Sequence, residues 1–233
     1  MKILLFLFCC TSLTGYCQTA GEFLKSGTAK QQAKDYKGAI ADFTVAVKFN
    51  AKDDKAWYGL GLAKDSLRDY KAAMEAYTKA IALNADEAAP YKSRGYLREI
   101  MKDYHGAIED YTDAVSINTK DIDGFISRGR VKDKVKDYMG AMTDYTRVIK
   151  IDSGYVSAYL NRGNTRNHLK DHNGAIADYN KAIDINPNYA SAYFNRGLTE
   201  IALKQKAAGC LDLDKAVALG YEKAGEVIRK YCR

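Results

Sequence analysis

The sequence predicts an all-α fold built from tandem helix pairs, on three observations. Shifted by 34 residues, it brings Gly27, Gly61, Gly95, Gly129, Gly163 and Gly197 into one column without insertion or deletion. Within each copy the apolar residues recur at helical spacing. Only Pro90 and Pro187 interrupt the 233 residues, and proline breaks helix interiors. The units are 20–53, 54–87, 88–121, 122–155, 156–189 and 190–223, inside an array expected to run from 18 to 233.

Ahead of the array, MKILLFLFCCTSLTGYCQTA has one lysine, an apolar run from Ile3 to Cys10, then small and polar residues. That is the layout of a secretory signal, here 1–17, and the run is too short to span a bilayer core, which needs about 20 residues. Gly15 and Cys17 fit a cut that leaves Gln18 as the new N-terminus, so the chain is expected to be exported, to a periplasm or beyond the cell. Cys17 also lies where a lipidated cysteine would, although Tyr16 precedes it in place of a small residue; a membrane partner is expected only with that lipidation.

The first helix of each unit carries Phe23, Trp57, Tyr91, Phe125, Tyr159 and Tyr193 four residues before the glycine, on the same face. At the junctions Asp35, Asp69, Asp103, Asp137 and Asp171 stand where a carboxylate caps the following helix, and Gln205 takes that place in the sixth unit. The second helix then presents Ala39, Ala73, Ala107, Ala141 and Ala175, followed by Phe43, Tyr77, Tyr111, Tyr145 and Tyr179, as one apolar face. Asn50, Asn84, Asn118, Asp152, Asn186 and Gly220 close these helices, and most are residue types that tolerate a left-handed C-terminal position. A glycine inside a helix costs about 1 kcal/mol relative to alanine, so the glycine column implies close helix approach.

Two further columns vary together. Arg94, Arg128, Arg162 and Arg196 are matched sixteen residues on by Asp110, Asp144, Asp178 and Asp212, whereas Leu60 is matched by Ala76 and Ser26 by Asp42. An ion pair joining the two helices of one repeat is the expectation, with a solvated pair of little value as its alternative.

These columns resemble the tetratricopeptide repeat, over residues 20 to 223. The resemblance implies a right-handed α-α superhelix of six helix-turn-helix repeats, ended by a capping helix, here 221–232. It also implies a concave wall lined by the first helices, at positions three before the glycine and one, four and five after it. Here these are Leu24, Thr28, Gln31 and Gln32; Tyr58, Leu62, Asp65 and Ser66; Lys92, Tyr96, Glu99 and Ile100; Ile126, Arg130, Asp133 and Lys134; Leu160, Asn164, Asn167 and His168; and Phe194, Leu198, Ile201 and Ala202. The mixture of aromatic, aliphatic and charged residues suits a peptide or helix laid in a groove. Chaperone-binding members clamp a C-terminal carboxylate, and Leu160 and Tyr96 interrupt that constellation here.

Little else points to chemistry. His168 and His172 are four apart, but Leu169 follows the first where a metalloprotease motif has Glu, and Asp171 places the two on different helices. No nucleophile elbow, phosphate-binding loop or catalytic carboxylate pair stands out, so no catalytic residue, cofactor or metal is expected. The formal charge of +7 is spread along the array without a basic run, and no nucleic-acid partner is expected. Cys210 and Cys232 remain after the leader, on segments that antiparallel packing would bring level; a disulfide and two reduced thiols both stay open. The expected function is a non-catalytic protein-interaction scaffold with a protein or peptide partner; the alternative is a helical domain with an unrecognised carbohydrate-binding or catalytic site.

Overall fold

The computed structural model describes residues 19–232, which form thirteen α-helices and no strand. The expected leader, with Cys17 and the cut before Gln18, lies outside the described residues. The chain divides into two compact units, Met1–Ala85 and Asp86–Arg233. The first holds α1 (Ala20–Gln32), α2 (Tyr36–Phe49), α3 (Asp54–Ser66) and α4 (Tyr70–Leu83). In the second, α5 (Ala88–Ile100) to α12 (Lys206–Ala218) make four repeats, with α6 (Tyr104–Ile117), α7 (Ile122–Lys134), α8 (Tyr138–Ile151), α9 (Val156–His168), α10 (His172–Ile185) and α11 (Ala190–Ala202) between them. A last helix, α13 (Lys223–Tyr231), packs on α12. Within each unit successive helices pack on one another in chain order.

The capping aspartates explain where the second helices begin. Asp35, Asp69, Asp103, Asp137 and Asp171 each accept a hydrogen bond from the backbone amide three residues on, whereas Gln205 makes no such bond. The helix ends depart from expectation. Asn50, Asn84, Asn118, Asp152 and Asn186 are extended, with φ of −135°, −144°, −113°, −138° and −132°. The Oδ1 atoms of Asn50, Asn118, Asp152 and Asn186 accept from the amide two residues on, and this local turn holds them there. Only Gly220, at φ 87°, takes the left-handed place.

The other left-handed residues end the first helices: Lys34, Arg68, Lys102, Lys136, Lys170 and Lys204, at φ between 62° and 65°. At Lys136 the amide of Lys136 bonds to the carbonyl of Asp133, and that of Asp137 to the carbonyl of Lys132, the double closure of a Schellman end. A side chain there carries Cβ strain that glycine lacks. Lys136→Gly is expected to raise stability by about 1 kcal/mol, read as a shift in the denaturant midpoint; an unchanged or lower midpoint would contradict it.

The core runs along the second helices. Phe43, Tyr77, Tyr111, Tyr145 and Tyr179 are buried, beside buried Ala46, Ala80, Ala114, Val148 and Ala182. Their rings explain the glycine column: a Cβ at Gly27, Gly61, Gly129 or Gly163 would lie 2.9, 2.5, 2.8 or 2.6 Å from the ring sixteen residues on. The ring that fills the glycine notch thus comes from the second helix of the same repeat, and not from the first-helix aromatic four residues earlier. At Gly197 the obstacle is the carbonyl oxygen of Gly209, so α11 and α12 touch backbone to backbone.

The paired columns meet as bidentate ion pairs. Arg128 Nε and Nη2 donate to Asp144 at 2.9 and 2.6 Å, and Arg162 to Asp178 at 3.0 and 2.6 Å. Arg94 with Asp110 and Arg196 with Asp212 are built alike, and Ser26 donates to Asp42 at 2.6 Å. The carboxylates are buried, that of Asp144 to 1% exposure, so the solvated alternative does not describe them. Each guanidinium also lies over the aromatic ring three residues before it, Tyr91, Phe125, Tyr159 and Tyr193 in turn. A second cation joins, which the column comparison had not singled out: Lys30, Arg98, Lys132 and Arg166 pair with Asp42, Asp110, Asp144 and Asp178. Its sequence signal is a basic residue four after each member of the Ser/Arg column, broken by Glu200.

Glu200 therefore faces Asp212 where other repeats place a cation. Its Oε2 is buried with no hydrogen-bond partner, and burial first, then the charge of Asp212, pushes its pKa up against the pull of Arg196. An acid with a raised folded-state pKa contributes stability that is fully present below its unfolded pKa and lost as pH rises through the folded one. Glu200→Gln, neutral at every pH, is expected to melt higher than wild type at pH 7, with the two converging near pH 4. Equal melting temperatures at pH 7 would contradict this.

Candidate functional site

The first-helix stripe brings its residues together in two places, one in each unit. In the first unit Leu24, Thr28, Gln31, Gln32, Tyr58 and Leu62 line a cavity of about 500 Å³, with Phe43 and Gly59 also lining it and Lys55 beside them. The helices turn these side chains to one side because residues three before and one, four and five after the glycine share a face. Phe43 has no hydroxyl, whereas Tyr77, Tyr145 and Tyr179 use theirs on the first-helix residue twelve positions earlier.

In the second unit Asn164, Asn167, His168 and Leu198 line a cavity of about 270 Å³, joined by Tyr179 and Asn195. Asn195 was not among the expected residues; it lies two before the column glycine, a position that does not belong to the stripe. Its Nδ2 donates to Asn164 Oδ1 at 2.8 Å, where the Tyr179 hydroxyl also donates at 2.9 Å. His168 and His172 end and begin successive helices as expected; His168 stacks on Tyr138, and His172 Nδ1 bonds to Asn167 Oδ1. Among the described residues no group of three or more His, Cys, Asp or Glu is placed to hold a metal ion.

Several stripe residues have their polar atoms engaged inside the fold. Asp133 accepts from the Tyr145 hydroxyl at 2.8 Å and from Thr165 Oγ1 at 2.9 Å, and burial raises its pKa against the lowering by those bonds. Asn167 donates to Tyr179 Oη and to Thr199 Oγ1. Lys92 pairs with Asp121 at 2.8 Å. Glu99, 9% exposed, takes Arg130 at 3.0 Å and Lys134 at 2.7 Å, which are 50% and 44% exposed. Tyr96 is exposed, while Ile126 and Leu160 are half-buried in apolar clusters of the second unit. Phe194 packs against Tyr221 at 4.6 Å between ring centroids, within the cluster that receives α13, whereas Leu198 is 36% exposed.

What this surface offers is hydrogen-bonding amides, apolar recesses and one buried carboxylate holding two cations outward. Residues 54–87 match the tetratricopeptide repeat family, and residues 163–199 match a TPR repeat family. The chain contains tetratricopeptide repeats. The repeat array is similar in fold to YrrB, a TPR protein with an unusual peptide-binding site, at 20% identity and a TM-score of 0.70, covering 80% of this chain and 97% of that one. It is similar also to MamA, at 22% identity and a TM-score of 0.68, with 73% and 93% covered. The C-terminal part of a TPR repeat-containing protein from Cytophaga hutchinsonii gives a TM-score of 0.77 at 16% identity, with 89% and 87% covered. No curated protein sequence matches this tetratricopeptide repeat chain.

Proposed function

We propose that the protein is an exported, non-catalytic scaffold that binds a peptide or helix of a partner protein along the first-helix stripe. The observation that carries this reading is that stripe residues predominate in the lining of two cavities, of about 500 and 270 Å³, whereas two others, on α8 and at 220–223, lie off the stripe. These positions differ between repeats while the packing columns recur, which is the division of labour a scaffold needs. The peptide-binding site of YrrB, a similar fold, is consistent with it. Export is supported by the apolar run Ile3 to Cys10 and by the Cys210–Cys232 disulfide, a bond that persists in oxidising compartments.

A library of random short peptides displayed on phage, panned on the purified chain, tests the groove. Peptides selected by wild type are expected to lose at least tenfold in affinity for Leu62→Lys or for Leu198→Lys, about 1.4 kcal/mol. If both folded variants hold every selected peptide as tightly as wild type, the groove reading is wrong. The mass of the mature N-terminus tests export: Gln18 as first residue supports a cleaved soluble form, a diacylated Cys17 supports an anchored one, and an intact Met1 opposes both.

A further inference from the structure

We infer that the disulfide between Cys210 and Cys232 is a redox latch: it holds down the C-terminal segment whose Tyr221 packs on Phe194, and its reduction opens the sixth repeat's end of the groove to a peptide of a partner protein. The groove's part in this rests on the function proposed above; the latch itself does not. The sixth repeat lacks devices that hold the others together. Gln205 gives α12 no cap bond. Glu200 puts a buried, unpartnered carboxylate oxygen where four other repeats put a cation bonded to the second-helix aspartate. Leu213 takes the place of the aromatic ring.

The helix α13 cannot hold itself. It has nine residues, and Glu222 before it makes no side-chain cap bond; isolated helices this short are not stable in water. Its attachment is apolar, through Ala224, Val227, Ile228 and the preceding Tyr221, and covalent, through Cys232 to Cys210 on α12, 22 positions away in sequence. Tyr221 packs directly on Phe194, a residue of the stripe. A dithiol reductant supplies two electrons and two protons to the protein disulfide, giving two cysteine thiols and becoming a disulfide itself. The covalent hold on α13 is then gone, and one buried small side chain, Ala224, with the half-buried Tyr221, Val227 and Ile228, remains to keep it down.

Amide hydrogen exchange on the full oxidised chain, with and without dithiothreitol, tests this, with binding of the dye anilinonaphthalene sulfonate as the probe of uncovered apolar surface. Reduction is expected to speed exchange across residues 223–231 by about 300-fold, the loop-closure effect of a bridge of this span. It should leave α7 to α10 protected and raise dye binding. A Cys210→Ser, Cys232→Ser variant should behave as the reduced protein and ignore the reductant. Unchanged protection of α13 after both thiols are titrated as free overturns the latch, as does loss of protection throughout α5–α12, which would make the bond a general staple. Faster exchange without added dye binding overturns the opening of the groove. None of these readings uses a partner, so failure of the latch and failure of peptide binding are separately visible.

Discussion

Asp178→Ala is expected to destabilise the second unit by about 3 kcal/mol, the lower end of the cost of breaking a buried pair, because it leaves two half-buried cations without this counter-ion. Asp178 receives two bonds from Arg162, at 3.0 and 2.6 Å, and a third from Arg166 at 2.9 Å, with its own side chain 4% exposed. Arg162 also donates to Thr146 on the preceding repeat, so the carboxylate orients a guanidinium that ties two repeats together. A double-mutant cycle with Arg162→Ala, read by urea denaturation, is expected to give a coupling above about 1 kcal/mol. A coupling indistinguishable from zero would return the pair to the class of solvated ion pairs. The second repeat provides an internal comparison: Leu60 and Ala76 occupy the same two positions, both buried. Replacing Arg162 and Asp178 together by Leu and Ala is accordingly expected to cost less than Asp178→Ala alone, because the pair's desolvation is removed along with its attraction.

Gly129→Leu is expected to cost about 3 kcal/mol or more and to disrupt the packing of α7 on α8. Even the first added carbon would stand 2.8 Å from Cε1 of Tyr145 and 3.1 Å from Cζ, and that ring is fully buried. The ring has no room to retreat, since its hydroxyl is held by Asp133, which Thr165 also holds. Leucine gains about 1 kcal/mol of helix propensity over glycine, too little to offset the clash. A Gly129→Leu protein with the wild-type melting temperature would show that close approach is not what the glycine column serves. Gly129→Leu combined with Tyr145→Ala should recover part of the loss relative to Gly129→Leu alone, because it makes room at the notch.

Much of the fold was legible because repetition makes one chain its own comparison. The capping aspartates, the buried second-helix rings and the Arg–Asp columns were readable since each depends on neighbours at fixed separations within one repeat, sixteen residues or fewer. The left-handed lysines were not, because their conformation is imposed by the double closure at the helix end and residue type gives no sign of it. The same limit applied to the candidate site. Spacing brought Leu62, Asn164, Asn167, His168 and Leu198 to cavity walls, yet it also selected Asp133, whose bonds run to Tyr145 and Thr165 on other helices.

By itself, then, the sequence determined the all-α repeat, its period, its caps and the Arg–Asp columns, because these follow from local spacing and from side chains meeting inside one unit. Only the tertiary structure decided that the described residues form two compact units, and that a second layer of cations stands behind the first. It alone settled that Cys210 meets Cys232 and that Tyr221 covers Phe194. Those outcomes depend on how elements distant in sequence pack against one another, and on which polar atoms burial forces to find a partner.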